Sequence, residues 1–84
     1  MGQVALKLRI LPKDPEKFED MKSELFSKIK AYKSEEEEVG FGLKALLVVF
    51  IIPDAPGQQE KVESILATCE NIDSVETISA SLVG

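Results

Sequence analysis

The strongest constraint on the fold is an almost continuous apolar run at residues 43–52, Leu-Lys-Ala-Leu-Leu-Val-Val-Phe-Ile-Ile, which is followed by Pro53. This run is too short to cross a bilayer, since a membrane-spanning helix needs about 20 apolar residues. Val, Ile and Phe fill its second half, and these residue types favour strands. Because a strand that is apolar on both faces has to be covered on both, the run predicts a central strand of a sheet.

Two further segments have the alternation that is typical of strands with one buried face. Near the N-terminus, apolar residues at positions 4, 6, 8 and 10 alternate with small or charged residues, and Pro12 ends the segment because proline cannot donate to a sheet ladder. Near the C-terminus, residues 73–82 are rich in β-branched and small residues and alternate loosely. These segments predict the first and the last strand.

Two helices are predicted between these strands. The first begins at Asp14, a suitable N-cap, with Pro15 at the first helical position. Lysines follow toward its C-terminal end, where the helix dipole favours positive charge. The second helix begins at Gln58, and Asn71 closes it. Apolar residues recur at spacings of three and four in both: Phe18, Met21, Leu25, Ile29 and Tyr32 in the first, with Lys28, Lys30 and Lys33 at its end, and Val62, Ile65, Leu66, Cys69 and Ile72 in the second.

Four consecutive glutamates at residues 35–38 have to be exposed because their carboxylates repel one another. They fit either a charged edge strand that resists association or a charged loop, and the pattern does not decide between the two. A specific Ca²⁺ or Mg²⁺ site is disfavoured, since consecutive strand residues point to opposite faces and an EF-hand-like loop needs glycine and alternating oxygen ligands.

The predicted order is strand, helix, one or two strands, helix, strand, within a single domain at residues 1–84. This order fits an α+β, ferredoxin-like two-layer sandwich (βαββαβ) with an antiparallel sheet. Right-handed crossovers place both helices on one face of that sheet. The other face is then open and available to a partner.

Composition excludes several classes of function. The chain has no His and one Cys, Cys69, which argues against acid–base catalysis, an internal disulfide and a Cys-rich zinc site. Its net charge of −5 argues against direct nucleic-acid binding. Cys69 lies on the second apolar stripe without a neighbouring cation, as a buried structural thiol does. The opening residues do not resemble a signal peptide, so the expected location is the cytoplasm, without a membrane partner.

Phe41 is the residue that most suggests a function, because it stands between Gly40 and Gly42 at a predicted turn. Three interpretations are open: Phe41 folds back over the edge of the core, the two glycines merely shape a hairpin, or Phe41 is an exposed aromatic residue for docking a partner. Aromatic anchors commonly dominate the energy of an interface. Lys44 follows on the next strand, where it is either a solvated sheet residue or a cation beside that anchor.

The segment Gly40-Phe41-Gly42-Leu43-Lys44-Ala45-Leu46, with the apolar strand and Pro53-Asp54 after it, resembles the exchange domain of translation elongation factor 1-beta in its small archaeal form. This resemblance implies guanine-nucleotide exchange on elongation factor 1-alpha, by binding and without a cofactor. It also implies that Phe41 enters a pocket of that GTPase. The partner-binding residues predicted in this way are Gly40, Phe41, Gly42 and Lys44.

The chain departs from the eukaryotic members of this family at two places. Those members carry two lysines after the hairpin, and the second of them falls on Ala45 here. They also carry a lysine next to the C-terminus that disturbs the magnesium site of the GTPase, and that position is Val83 here. That step therefore cannot be transferred. The alternative functions are a small regulatory or ligand-binding module and a module that self-associates through residues 43–52.

Overall fold

Four antiparallel strands and two helices make up residues 2–83, the part of the chain that this computed structural model describes. The strand order in the sheet is β2-β3-β1-β4. This is the predicted α+β, ferredoxin-like arrangement. The elements are β1 (Gln3–Pro12), a short 3₁₀ turn (Pro15–Lys17), α1 (Phe18–Lys28), β2 (Lys33–Gly40), β3 (Leu43–Pro53), α2 (Gln58–Ala67) and β4 (Ile72–Val83).

The core lies between one face of the sheet and the two helices. On this face β1 and β3 pair Leu6 with Phe50 and Leu8 with Val48, and all four side chains are almost completely buried. Residues of both helices belong to the same cluster, so both helices cover the same face, as predicted. They are Phe18, Met21 and Leu25 of α1 and Val62 and Leu66 of α2.

The apolar run forms β3, which lies between β2 and β1 as predicted for a central strand. Hydrogen-bonded neighbours occupy both of its edges. The strand therefore has no free edge among residues 2–83 through which a second molecule could extend the sheet.

The four glutamates lie in β2, an edge strand, so the strand interpretation is confirmed and the loop interpretation is wrong. Their side chains alternate between the two faces. The Glu36 carboxylate accepts a hydrogen bond from Lys22 of α1 at 2.8 Å, and the Glu37 carboxylate accepts one from Arg9 of β1 at 3.1 Å. Glu35 also forms an ion pair with Lys33 of the same strand at 3.7 Å, so three of the four charges are paired with cations.

The first helix is shorter than the apolar spacing predicts. Ile29 already has extended backbone (φ −147°, ψ 142°), so α1 ends at Lys28. The prediction was wrong for Tyr32, whose side chain is 74% exposed and whose N–H donates to Val49. It was also wrong for Lys30, in the connection, and Lys33, in β2. In the part of the chain described, neither helix is long and apolar enough to cross a membrane.

The second helix also ends early, at Ala67, and Ile72 begins β4 instead of closing the helix stripe. Ile72 is nevertheless buried in the same core cluster. The carboxylate of Glu24 in α1 holds this connection in place: it accepts hydrogen bonds from the N–H groups of Glu70 at 3.1 Å and Asn71 at 3.2 Å. One side chain thus ties α1 to the start of β4.

This tie predicts a pH dependence of stability. The backbone N–H groups of Glu70 and Asn71, followed by Lys28, lower the pKa of the Glu24 carboxyl in the folded chain. A lowered pKa contributes stability above the ordinary pKa of 4.5, and that stability is lost as pH falls through the folded value. We expect Glu24→Gln to destabilise at neutral pH and to approach the parent as the pH falls below 4.5.

Urea unfolding at a series of pH values measures this difference. Glu63→Gln is the matched control, because Glu63 lies exposed on α2 and its side chain makes no hydrogen bond among residues 2–83. A Glu24→Gln deficit that stays constant from pH 7 to acid would contradict the assignment of the effect to this carboxylate.

Candidate functional site

The β2–β3 hairpin turns through two residues, Phe41 and Gly42. Gly40 pairs with Leu43, so nothing else lies between the paired strands. Phe41 has a φ of 54° and Gly42 a φ of 76°. Positive φ at both central residues is what a type I′ turn requires, and such turns follow the natural twist of a hairpin. Gly40 also has positive φ, 102°, so the two flanking glycines supply conformations that side-chain-bearing residues rarely adopt.

The Phe41 side chain is fully exposed, at 103% of its reference area. The interpretation in which this ring folds back over the core is therefore wrong. A phenyl ring gains nothing for folding in this position, because it buries no apolar surface.

The backbone conformation at Phe41 is also unfavourable for phenylalanine, because its φ is positive. Positive φ costs a residue with a Cβ about 1–2 kcal/mol unless it is Asn or Asp, whose short side chains tolerate this region. The preferred type I′ pair is Asn-Gly, and this chain has Phe-Gly. An exposed aromatic residue in a conformation that disfavours it points to a requirement other than folding.

This argument predicts that Phe41→Asn stabilises the chain. The variant creates the preferred turn pair, and we expect unfolding to become less favourable by about 1 kcal/mol, which raises the Tm by about 4–8 °C in a domain of this size. Thermal unfolding followed by circular dichroism measures the shift. Phe41→Leu is the control, because it keeps a branched apolar side chain at the same φ and should leave the Tm unchanged. A lower Tm for Phe41→Asn would contradict the argument.

Two more apolar side chains are exposed beside Phe41. The register shifts between Glu38 and Gly40, which leaves Val39 unpaired in a β-bulge. Val39 is 43% exposed and Leu43 is 40% exposed. Residues 39–43 therefore form an apolar hairpin tip with the Phe41 ring at its end. Sequence reasoning missed Val39 and Leu43, because the pattern of residues does not reveal the bulge.

Lys44 lies next to the hairpin tip, on the face of the sheet that carries the helices. Its Nζ is 3.4 Å from Oε1 of Glu36, and the same carboxylate binds Lys22 at 2.8 Å. Hydrogen bonding from Lys22, and then from Lys44, lowers the pKa of the Glu36 carboxyl. The Lys44 side chain remains 46% exposed, so its ammonium is accessible while it is paired.

The other candidates from the sequence lie apart from the hairpin tip. Cys69 is buried, and this burial raises the pKa of its thiol. Val83 pairs with Gln3, and Gln3 pairs with Pro53 at the opposite end of β3 from Leu43. A strand of that length places Val83 roughly 30 Å from the hairpin tip. The structure therefore brings together Gly40, Phe41, Gly42 and Lys44, but not Val83.

Comparison of the sequence with known protein families gives a match. The sequence model of the family described as the EF-1 guanine nucleotide exchange domain matches residues 5–83. The chain belongs to this family. The match includes the whole hairpin tip and Lys44, and it extends to Val83.

Archaeal members of the EF-1 guanine nucleotide exchange domain family resemble the chain over nearly its full length. Elongation factor 1-beta of Methanospirillum hungatei is 33% identical, and the alignment covers 99% of this chain and 100% of the relative. The protein of the same name from Haloarcula marismortui is 37% identical, covering 100% of this chain and 98% of the relative. That of Methanosphaera stadtmanae is 39% identical, covering 90% and 91%.

Proposed function

We propose that this protein is a guanine-nucleotide exchange factor that promotes replacement of GDP by GTP on elongation factor 1-alpha during translation in the cytoplasm. The observation that carries the proposal is Phe41, an exposed ring on a backbone that disfavours it. Membership in the EF-1 guanine nucleotide exchange domain family supports the same function. So does the name of its archaeal relatives, elongation factor 1-beta.

In this proposal the hairpin tip is the docking element. The Phe41 ring enters an apolar pocket of the GTPase, with Val39 and Leu43 in contact around its rim. Gly40 and Gly42 hold the ring away from the sheet. Lys44 supplies a cation beside the ring and can exchange its contact with Glu36 for a carboxylate on the partner, because its side chain is partly exposed.

Exchange then follows from differential binding. The factor has to bind the nucleotide-free GTPase more tightly than the GDP complex, and by reciprocity it weakens GDP by the same factor. A 10³-fold loss of GDP affinity requires about 4 kcal/mol of such preference. Truncating an aromatic anchor commonly costs about 2–4 kcal/mol, so a ring that becomes desolvated chiefly in the nucleotide-free GTPase, together with the apolar contacts around it, has the size needed for this preference. The step makes and breaks no covalent bond.

Release of labelled GDP tests the proposal directly. Elongation factor 1-alpha encoded by the same genome is loaded with a fluorescent GDP analogue and mixed with excess unlabelled GTP. We expect the release rate to rise with the concentration of this protein and to saturate. A release rate that stays at its intrinsic value across the whole concentration range would overturn the proposed function. An unrelated GTPase loaded in the same way controls for non-specific effects.

A further inference from the structure

The carboxylate of Glu36 binds two lysines at different distances. Its Oε2 atom accepts a hydrogen bond from Nζ of Lys22 in α1 at 2.8 Å, and its Oε1 atom lies 3.4 Å from Nζ of Lys44 in β3. A hydrogen bond between an ammonium and a carboxylate is normally about 2.7–2.9 Å long. Lys22 is therefore bound at the usual length, whereas Lys44 is bound loosely.

The contact with Glu36 draws the Lys44 side chain away from the hairpin tip. The register of the hairpin places Glu38, not Glu36, directly opposite Lys44. Glu36 pairs with Leu46, two residues farther from the tip, so Lys44 reaches diagonally across the hairpin to bind it. Among residues 2–83, no ion pair joins Lys44 to the nearer Glu38. The Lys44 ammonium therefore points away from the Phe41 ring while it is bound to Glu36.

We propose that Lys22 is a positioning residue for docking: by binding Glu36, it weakens the hold of this carboxylate on Lys44 and leaves Lys44 able to turn toward the partner. The inference rests on the proposed function, in which Lys44 lies beside the Phe41 ring and meets a carboxylate of the GTPase. Lys44 has to leave Glu36 to make that contact. Because Lys22 stays bound, Glu36 still has a cation when Lys44 leaves.

Exposure and charge decide which of the two lysines can leave. The Lys44 side chain is 46% exposed and the Lys22 side chain is 29% exposed, so Lys44 is the more accessible to a partner. The hydrogen bond to Glu36, and with it the charge of Glu19, raises the pKa of Lys22, so this ammonium keeps its charge. Without Lys22, the Glu36 carboxylate would have Lys44 as its remaining cation and would hold it more closely.

Acetylation of the chain alone tests this arrangement without the GTPase. A lysine held by a carboxylate reacts with acetic anhydride more slowly than a free lysine does, and mass spectrometry measures the reaction at Lys44 separately. We expect Lys22→Met to slow the reaction of Lys44 by about twofold to about fivefold, the size of effect that an exposed ion pair has. Glu36→Gln should speed the reaction, because it removes the carboxylate that holds Lys44.

Lys61→Met is the matched control for both measurements. Lys61 is an exposed lysine of the other helix, α2, and it makes no ion pair among residues 2–83. Its replacement changes the net charge as Lys22→Met does, but it leaves the contacts of Glu36 in place. We expect it to change neither the reaction of Lys44 nor the release of GDP.

Release of fluorescent GDP tests the consequence for docking. We expect Lys22→Met to raise the concentration of this protein that gives half of the maximal release rate, by about twofold to about fivefold, and Glu36→Gln to lower it. Lys22→Arg keeps the cation and should restore the native value. In a Lys44→Met background, Lys22→Met should have no further effect, whereas the loss of a merely structural contact would act in both backgrounds.

The outcomes separate this inference from the proposed function. If the native chain accelerates GDP release and Lys22→Met has the same half-maximal concentration, or has an equal effect with and without Lys44, the role of Lys22 is overturned and the proposed function stands. An unchanged reaction of Lys44 with acetic anhydride in Lys22→Met would also overturn that role. A native chain that does not accelerate GDP release would overturn the proposed function itself.

Discussion

Replacing Phe41 by alanine is expected to slow GDP release from elongation factor 1-alpha by about 30-fold to about 1,000-fold, the loss that truncation of an aromatic anchor causes. The same change should leave folding intact, because the ring is fully exposed and contributes no buried surface. Alanine and phenylalanine both carry a Cβ, so the cost of the positive φ at position 41 is about the same for the two residues. Rates of fluorescent GDP release and thermal unfolding midpoints, measured on the same preparation, separate the two effects.

Tyr32→Ala is the matched control for this experiment. Tyr32 is also an exposed aromatic residue, at 74%, but it lies beside the start of β2 and is bonded to Val49, six residues along β3 from Leu43. We expect its removal to leave both the exchange rate and the Tm unchanged. Equal losses of exchange in the two variants would show that the hairpin tip is not the docking element. A collapse of the Tm for Phe41→Ala would show that the ring has a structural role.

The architecture was predictable because its main determinants are local. The apolar run at residues 43–52 requires burial on both faces, and this requirement places β3 in the centre of the sheet. Alternation in residues 4–10 predicts a strand with one buried face, and Leu6 and Leu8 are indeed buried while Lys7 is not. The two glycines around Phe41 predict a tight turn, and both have positive φ.

The missed features depend on tertiary contacts that residue spacing does not encode. Ile29 continues the helical spacing, but its backbone is extended because the chain has to reach the edge of the sheet and begin β2. The bulge that exposes Val39 arises from the register of β2 against β3. Whether Phe41 was exposed or folded back also depended on the direction of the hairpin. The candidate site was therefore predictable in its residues but not in its full extent.

Phe50→Ala is expected to have the largest effect on stability. Phe50 lies on the same strand as the hairpin tip, but its ring is almost completely buried between the sheet and the helices. Truncating a buried phenylalanine costs about 3–5 kcal/mol through lost burial and the cavity that remains. At about 0.05–0.15 kcal/mol per residue, a chain of 84 residues has a total stability of about 4–13 kcal/mol. The substitution therefore removes a large fraction of it.

Urea unfolding measures this loss, and Phe50→Leu is the control because it keeps most of the buried volume and should recover most of the stability. We also expect Phe50→Ala to retain exchange activity in proportion to the fraction of molecules that stay folded, since the hairpin tip is unchanged. The same chemical change within one hairpin then has two different effects. Phe41→Ala lowers the exchange rate and leaves the protein stable, whereas Phe50→Ala lowers the stability and leaves the folded molecules active. If Phe50→Ala abolished exchange while the protein remained folded, the core would have to transmit the action of the hairpin tip, and docking by Phe41 alone would be insufficient.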